Sequence, residues 1–192
     1  MDIVYGHPLT YRLIEKLIYG KSYRPHYEAL ACEIGASDLL ELCCGDCQIL
    51  DFYRGHRYQG VDINPAFVEH ARRRGLEVTL SDVSTYAIPK TGCILIHNSL
   101  YQFYPRHEEL IARALESATE KLIISEPVMN LSSSPNPLIA ALAKKLTSMG
   151  GSVSTKRFNR AEAEGIFQRF GARKIEFLGR NLMGVITGRA EQ

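Results

Sequence analysis

The sequence has no long apolar run. Its longest uninterrupted stretches of this kind, such as Leu138 to Ala143, fall far short of the ~20 residues a membrane-spanning helix needs. The start, Met-Asp-Ile-Val-Tyr-Gly-His-Pro, has neither a basic n-region nor an apolar h-region, so no signal peptide is expected and the chain reads as cytoplasmic, with no membrane partner. Charge of one sign is also missing. Lys plus Arg at 23 against Asp plus Glu at 21 leaves +2, too weak an overall field to indicate a nucleic-acid partner. There is no internal repeat and no low-complexity linker. An even cysteine count is absent too, since five cysteines in a cytosolic chain argue against a disulfide scaffold. What remains is an ordinary globular composition, 45% hydrophobic and 23% charged over 192 residues. A chain of that length buries roughly 70% of its unfolded surface and needs neither disulfide nor metal to hold a core. A single domain, residues 1–192, is the expectation.

The first 36 residues read as two helices forming a cap. Leu9, Leu13, Ile14, Leu17 and Ile18 recur at helical spacing between Pro8 and Gly20; Tyr27, Leu30, Ala31 and Ile34 do so before Gly35. From Leu39 the pattern changes to short apolar runs alternating with helical segments. Strands are expected at Leu39 to Leu42, Tyr58 to Asp62, Glu77 to Ser81, Cys93 to His97 and Leu122 to Ser125, and the alternation implies βαβ units with a parallel sheet. Helices are expected over Pro65 to Arg74, from Pro105, after Asn136-Pro137, and from the capping box Asn159-Arg160-Ala161-Glu162 to about Phe170. Leu131 to Pro137 reads as a surface loop. Two last strands, about Arg173 to Leu178 and Leu182 to Gly188, are separated only by Gly179-Arg180-Asn181. So short a connection requires an antiparallel hairpin.

In an open parallel sheet, ligands bind beyond the carboxyl ends of the strands. Strand one ends in Glu41, followed by Cys43-Cys44-Gly45-Asp46-Cys47; strand two ends in Asp62, 21 residues after Glu41; Asp82 follows 20 residues later, and strand four runs into His97-Asn98-Ser99. An acid about 20 residues after a small-residue turn is spaced to accept the hydroxyls of an adenosine ribose. The turn itself disfavours a dinucleotide, because it has one glycine where a pyrophosphate cradle wants three, and Asp46 would repel a phosphate. Four carboxylates, Glu41, Asp46, Asp62 and Asp82, suit a ligand with positive charge and no phosphate. S-adenosylmethionine, with its ammonium, sulfonium and adenosine, is such a ligand.

This arrangement resembles the class I S-adenosylmethionine-dependent methyltransferases from about Leu39 to the C-terminus. Glu41 followed by Cys43, Gly45 and Cys47 is similar to the family's first motif, an acid and then small residues, usually glycine, at alternate positions. Asp62 matches the ribose-binding acid, Asp82-Val83 the pair beside the adenine, and His97-Asn98-Ser99-Leu100-Tyr101 the segment near the methionine part and the substrate. The resemblance implies a Rossmann-like three-layer sandwich: a seven-stranded, mostly parallel sheet with a C-terminal antiparallel hairpin and an N-terminal helical lid (1–36) over a cofactor-binding core (37–192). It implies S-adenosylmethionine as cofactor, S-adenosylhomocysteine as product, and a cofactor site of Glu41, Cys43, Gly45, Asp46, Cys47, Asp62, Ile63, Asp82, Val83, His97 and Asn98. Tyr11, Tyr19, Tyr23 and Tyr27 resemble the lid of members that act on small molecules. Segment 97–101 lacks the Asn/Asp-Pro-Pro-Tyr/Phe pattern of members that methylate amino groups of bases or glutamine.

Alternatives stay open at this point. Cys44-Gly45-Asp46-Cys47 stands where a thioredoxin-like redox motif would, and Cys43, Cys44 and Cys47 would form a zinc site if Cys32, Cys93 or His97 completed it; the bland alternative is that the cysteines are small residues lining the turn, with only Gly45 needing a permissive backbone. His97 is a candidate general base, or a residue at the core edge whose backbone meets the cofactor. Tyr101 is a candidate substrate contact and catalytic residue, and Glu126 a further pocket residue. The expected reaction is methyl transfer to a small molecule. An RNA or protein acceptor, or an inactive cofactor-binding subunit, are the alternatives.

Overall fold

A computed structural model of the chain describes residues 8–129 and 156–188. Along each central strand the apolar residues divide between two faces, as the two-residue period of a strand requires. Leu40, Leu42, Ile94, Ile96, Leu122, Ile124, Leu182 and Ile186 bury themselves on one face; Leu39, Cys93, Leu95, Ile123, Met183 and Val185 on the other. A sheet apolar on both sides must be covered on both sides. Among the described residues, seven strands form it: β1 (Leu39–Leu42), β2 (Tyr58–Asp62), β3 (Val78–Leu80), β4 (Thr91–His97), β5 (Ala118–Pro127), β6 (Ala172–Leu178) and β7 (Asn181–Thr187). Their order is β3-β2-β1-β4-β5-β7-β6, parallel from β3 to β5, with β7 antiparallel to both β5 and β6.

The helices are α1 (Pro8–Tyr19), α2 (Tyr23–Ile34), α3 (Pro65–Arg73), α4 (His107–Ser117) and α5 (Arg160–Arg169). Helices α4 and α5 cover the first face through Leu110, Ile111, Ala114, Ala163, Ile166 and Phe167. Helix α2 covers the second through Tyr23, Tyr27, Leu30 and Ile34, and α3 sets Val68 and Ala71 against Val78, Cys44 and Cys47. The result is the expected three-layer sandwich. Local chemistry fixes the starts: the Asn64 side chain accepts from the Ala66 N–H with Pro65 in the first turn of α3, and Asn159 and Glu162 form a reciprocal capping box on α5. Gly179 and Arg180 alone join β6 to β7.

Three expectations need correction. The chain does not contain five complete βα units: β1 leads to β2 through one 3-10 turn, Gln48–Asp51, and no helix lies between β3 and β4. The stretch from Ser81 to Lys90 packs Val83, Tyr86 and Ile88 against the first face without forming a helix. The helix expected from Pro105 starts at His107. In α1 the leucines do not face inward; Leu9, Leu13 and Leu17 are 60%, 59% and 60% exposed while Glu15 and Tyr19 are buried. The loop expected at Leu131 to Pro137 and the helix after it lie outside the described residues. Among the described residues no helix is long and apolar enough to cross a membrane.

Candidate functional site

Strand order reverses between β1 and β4, where two neighbouring strands send their chains in opposite directions and a crevice opens at their carboxyl ends. The turn after β1 forms one wall. Three of its residues lie in the left-handed region, Cys43 at φ 58°, Gly45 at 53° and Cys47 at 57°, so the expectation that only Gly45 needs a permissive backbone is wrong. The turn is pinned by Cys44 N–H to Val61 O at 3.0 Å and Cys47 N–H to Cys44 O at 2.9 Å. Its Gly45 N–H donates to Asp62 Oδ2 at 2.8 Å, and the Asn64 N–H donates to Asp62 Oδ1 at 2.8 Å. Burial raises the Asp62 pKa while these backbone donors pull it back. The adjacent Ile63 leaves 66% of its surface exposed, an apolar flank beside a fixed carboxylate. Asp82, one strand further from the switch point, is exposed and accepts from the N–H and hydroxyl of Ser84 at 2.8 and 2.7 Å, which lowers its pKa; Val83 is core.

The other two acids are engaged by the protein itself. Glu41 receives the Tyr58 hydroxyl at 2.7 Å, and burial pushes its carboxyl well above the usual range. Asp46 pairs with Arg12 of α1 at 2.8 Å and accepts from Gln48 Nε2 at 2.8 Å.

Helix α1 supplies a residue that sequence reasoning missed. Glu15 is buried at the crevice and takes Tyr11 OH at 3.3 Å, Asn98 Nδ2 at 3.1 Å, Tyr27 OH at 3.1 Å and Gln48 Nε2 at 2.5 Å. Desolvation, with the nearby Asp46 charge, raises its pKa to about 7 against these donors. The four-residue spacing of Tyr11, Glu15 and Tyr19 is the signal that would have found this polar inner face. Asn98, itself at φ 56°, joins α1 to the hairpin: its Oδ1 accepts from Asn181 Nδ2 at 2.7 Å and lies 3.0 Å from the Tyr19 hydroxyl, which is 2.9 Å from Asn181 Oδ1. The post-β4 segment is held from below by Glu126, which accepts from the N–H groups of Ser99 (2.8 Å), Leu100 (2.7 Å) and Tyr101 (3.4 Å). Burial lifts its pKa to about 7.

The structure places His97 under α2. Its Nε2 lies 2.9 Å from His26 Nε2, and its ring is edge-on to Tyr27 at 5.2 Å. Burial pushes both histidines down, His26 to about 4 and His97, with the facing His26 adding to the effect, well below the usual value. Tyr101 is buried, with the Arg157 guanidinium 3.5 Å from its ring centroid. Cys44 and Cys47 pack with Val68, Ala71 and Val78, whereas Cys43 packs on the opposite face. Among the described residues no group of three or more His, Cys, Asp or Glu side chains is arranged to hold a metal.

No protein-family model and no curated protein matches the chain. Solved structures do. The S-adenosylmethionine-dependent methyltransferase SibL in its apo form superposes with TM-score 0.64 at 15% identity, over 88% of this chain and 55% of that one. Magnesium protoporphyrin IX methyltransferase from Synechocystis PCC 6803 with bound S-adenosylhomocysteine gives 0.60 at 15% identity, over 92% and 94%. A methyltransferase from Thermotoga maritima, described as a possible histamine N-methyltransferase, gives 0.65 at 14% identity, over 91% and 93%. The chain thus spans about half of the first and nearly all of the other two. At these identities the likeness shows the fold, which is that of the class I S-adenosylmethionine-dependent methyltransferases.

Proposed function

We propose that the chain is an S-adenosylmethionine-dependent methyltransferase acting on a small-molecule acceptor, with residues 1–36 as a lid on one catalytic domain. One observation carries this reading. Asp62 ends β2 with each oxygen fixed by a backbone N–H, from Gly45 and Asn64, which presents a rigid carboxylate to a pair of vicinal hydroxyls. The surroundings fit the cofactor: Ile63 offers an apolar flank for a base, the turn offers backbone where a phosphate cradle would need more glycine, and the nearby acids favour a cation. The Synechocystis structure holds S-adenosylhomocysteine on the same fold, which supports the choice. When bound, the cofactor supplies an electrophilic methyl group on a sulfonium.

The chain's own contribution is then positioning and exclusion of water. Asp62 and the Gly45 turn hold the adenosine end, with Ile63, Asp82 and Val83 along its edge. Asn98, oriented by Asn181, Tyr19 and Glu15, lines the methionine end. Glu126 holds the Ser99–Tyr101 backbone facing the acceptor. His97, committed to His26, acts in this reading as a brace beneath Asn98 and not as a base. Arg12 and Glu15 close α1 over the crevice.

Isothermal calorimetry with S-adenosylmethionine and S-adenosylhomocysteine tests the reading. Both should bind the wild-type protein, and Asp62→Asn should weaken both by about 30-fold, the scale of losing a charged acceptor worth ~2 kcal/mol. Undiminished affinity in Asp62→Asn would reject the ribose role, and no heat from folded wild-type protein would reject the cofactor.

A further inference from the structure

The acids Glu41, Asp46, Asp62 and Asp82 belong to the turns and ends of β1, β2 and β3. Along the sequence, the stretch from Pro127 to Ala161 contains no aspartate or glutamate but five basic residues, Lys144, Lys145, Lys156, Arg157 and Arg160. Most described surface cations near the β4 and β5 rim are neutralised. Lys156 pairs with Glu162 at 2.6 Å, Arg106 with Glu109 at 2.8 Å and Arg169 with Glu108 at 2.5 Å.

Arg157, like Arg160 and Arg180, is in no ion pair among the described residues. Its guanidinium carbon sits 3.5 Å from the centroid of the Tyr101 ring. The carboxylate that feels its charge is the buried Glu126. A guanidinium stacked on an aromatic face uses its faces for packing and leaves N–H donors along its edge, in the fork that matches an oxyanion. The platform is rigid, because Tyr101 is buried and its backbone is tied to Glu126. It stands three residues beyond Asn98, on the acceptor side of the switch point. Arg180, in the hairpin turn whose carbonyl accepts from the Val128 N–H at 3.1 Å, is likewise without a carboxylate partner among the described residues.

We propose that the methyl acceptor is a small molecule bearing one oxyanionic group, a carboxylate or a phosphate, and that Arg157 braced on Tyr101 is the residue that selects it. The proposal rests on the methyltransferase reading and adds the substrate class. A polyanion such as RNA would require a row of uncompensated cations to displace counterions along its backbone; here Lys156, Arg106 and Arg169 are each held in an ion pair, which interrupts such a row.

Ligand-observed NMR with three probes of one shape, benzoate, phenyl phosphate and benzamide, tests this, with and without S-adenosylhomocysteine. Benzoate or phenyl phosphate should bind at least about tenfold more tightly than benzamide, and whichever binds better identifies the group. Arg157→Gln should erase that preference, and Arg157→Lys, which keeps the charge but not the fork, should retain only part of it. Calorimetric binding of S-adenosylhomocysteine should be unchanged in both variants. Equal binding of all three probes, no binding of the anions, or a preference that survives in Arg157→Gln overturns the proposal. So does tight, salt-dependent binding of a single-stranded RNA oligonucleotide. Failure of S-adenosylhomocysteine to bind while the anion preference stands would instead sink the cofactor reading and leave Arg157 as an anion site of another kind.

Discussion

Cys43 and Cys47 occupy a conformation that costs an L-residue about 1–2 kcal/mol, with φ of 58° and 57°, where glycine would carry no such penalty. Burial compensates at Cys47, which is fully enclosed with Val68, Ala71 and Val78. Cys44 has another role. Its Sγ lies over Gly60, so close that a Cβ there would come within 2.8 Å of the sulfur; the turn and β2 interlock because one has a thiol where the other has no side chain. The two neighbours should therefore answer glycine substitution differently. Cys43→Gly should shift stability by no more than about 1 kcal/mol, backbone relief offsetting the lost side chain, whereas Cys44→Gly should cost about 1–2 kcal/mol because it opens a gap over Gly60. Urea denaturation of both variants checks this, and an equal loss in each would refute the strain argument. The sequence reveals that small residues alternate after Glu41. It does not reveal which of them are left-handed, because that depends on how Gly45 must turn its N–H to reach Asp62.

At the level of elements, α1 departs furthest from what periodicity predicts. A helix on a protein core turns its apolar stripe inward, but α1 lies over a polar crevice, so its inner face carries Arg12, Glu15 and Tyr19, and its leucines point outward. Apolar spacing alone identifies the helix and misassigns its faces. The crossovers fail for a related reason: a parallel connection was expected to be helical, yet the link from β1 to β2 is tied by side chains, Tyr23 OH reaching Gln48 Oε1 at 2.5 Å. By contrast the Asn64-Pro65 start of α3 and the Asn159 box of α5 were legible because capping is local chemistry. The inverted α1 has a measurable consequence. Leu13→Gln should leave stability within about 0.5 kcal/mol of wild type, while Tyr19→Phe, which strips a buried donor from Asn98 and Asn181, should cost about 1–3 kcal/mol. Thermal melts decide; a large loss in Leu13→Gln would mean that the leucine face is covered in solution.

For the whole molecule, the parallel sheet and the C-terminal hairpin were legible because they follow from alternation and from one very short connection, whereas the strand order and the buried ionisable groups that the fold gathers at its crevice were largely not. Those groups set an unusual pH response. Glu15 and Glu126 have carboxyls raised to about 7, and Glu41 is raised well above its ordinary value. Each binds a proton in the folded state at pH values where the unfolded chain has released it, so each contributes stability that is present in acid and lost as pH rises through the folded pKa. His26, lowered to about 4, and His97, lowered further, act in the opposite sense: below about 6.5 the unfolded chain takes up protons that the folded pair refuses, and stability falls with pH. Asp62 is raised in the same sense and His107 lowered with the other histidines, so four carboxyls are set against three histidines. Carboxylates with lowered values, Asp82, Glu109 and Glu162, titrate only in stronger acid. Cofactor-free protein should therefore become more stable as pH is lowered from about 7.5 to 6.5, and gain more gently from 6.5 to 5, where the histidines cancel most of the carboxyl term. Replacing both histidines in His26→Gln/His97→Gln should restore the steep rise below 6.5, each removed histidine adding on the order of 1.4 kcal/mol per pH unit. Stability measured by denaturant titration across pH 5 to 7.5 reads this directly; a wild-type curve that falls steadily on acidification would show that the carboxyls are ionised in the fold.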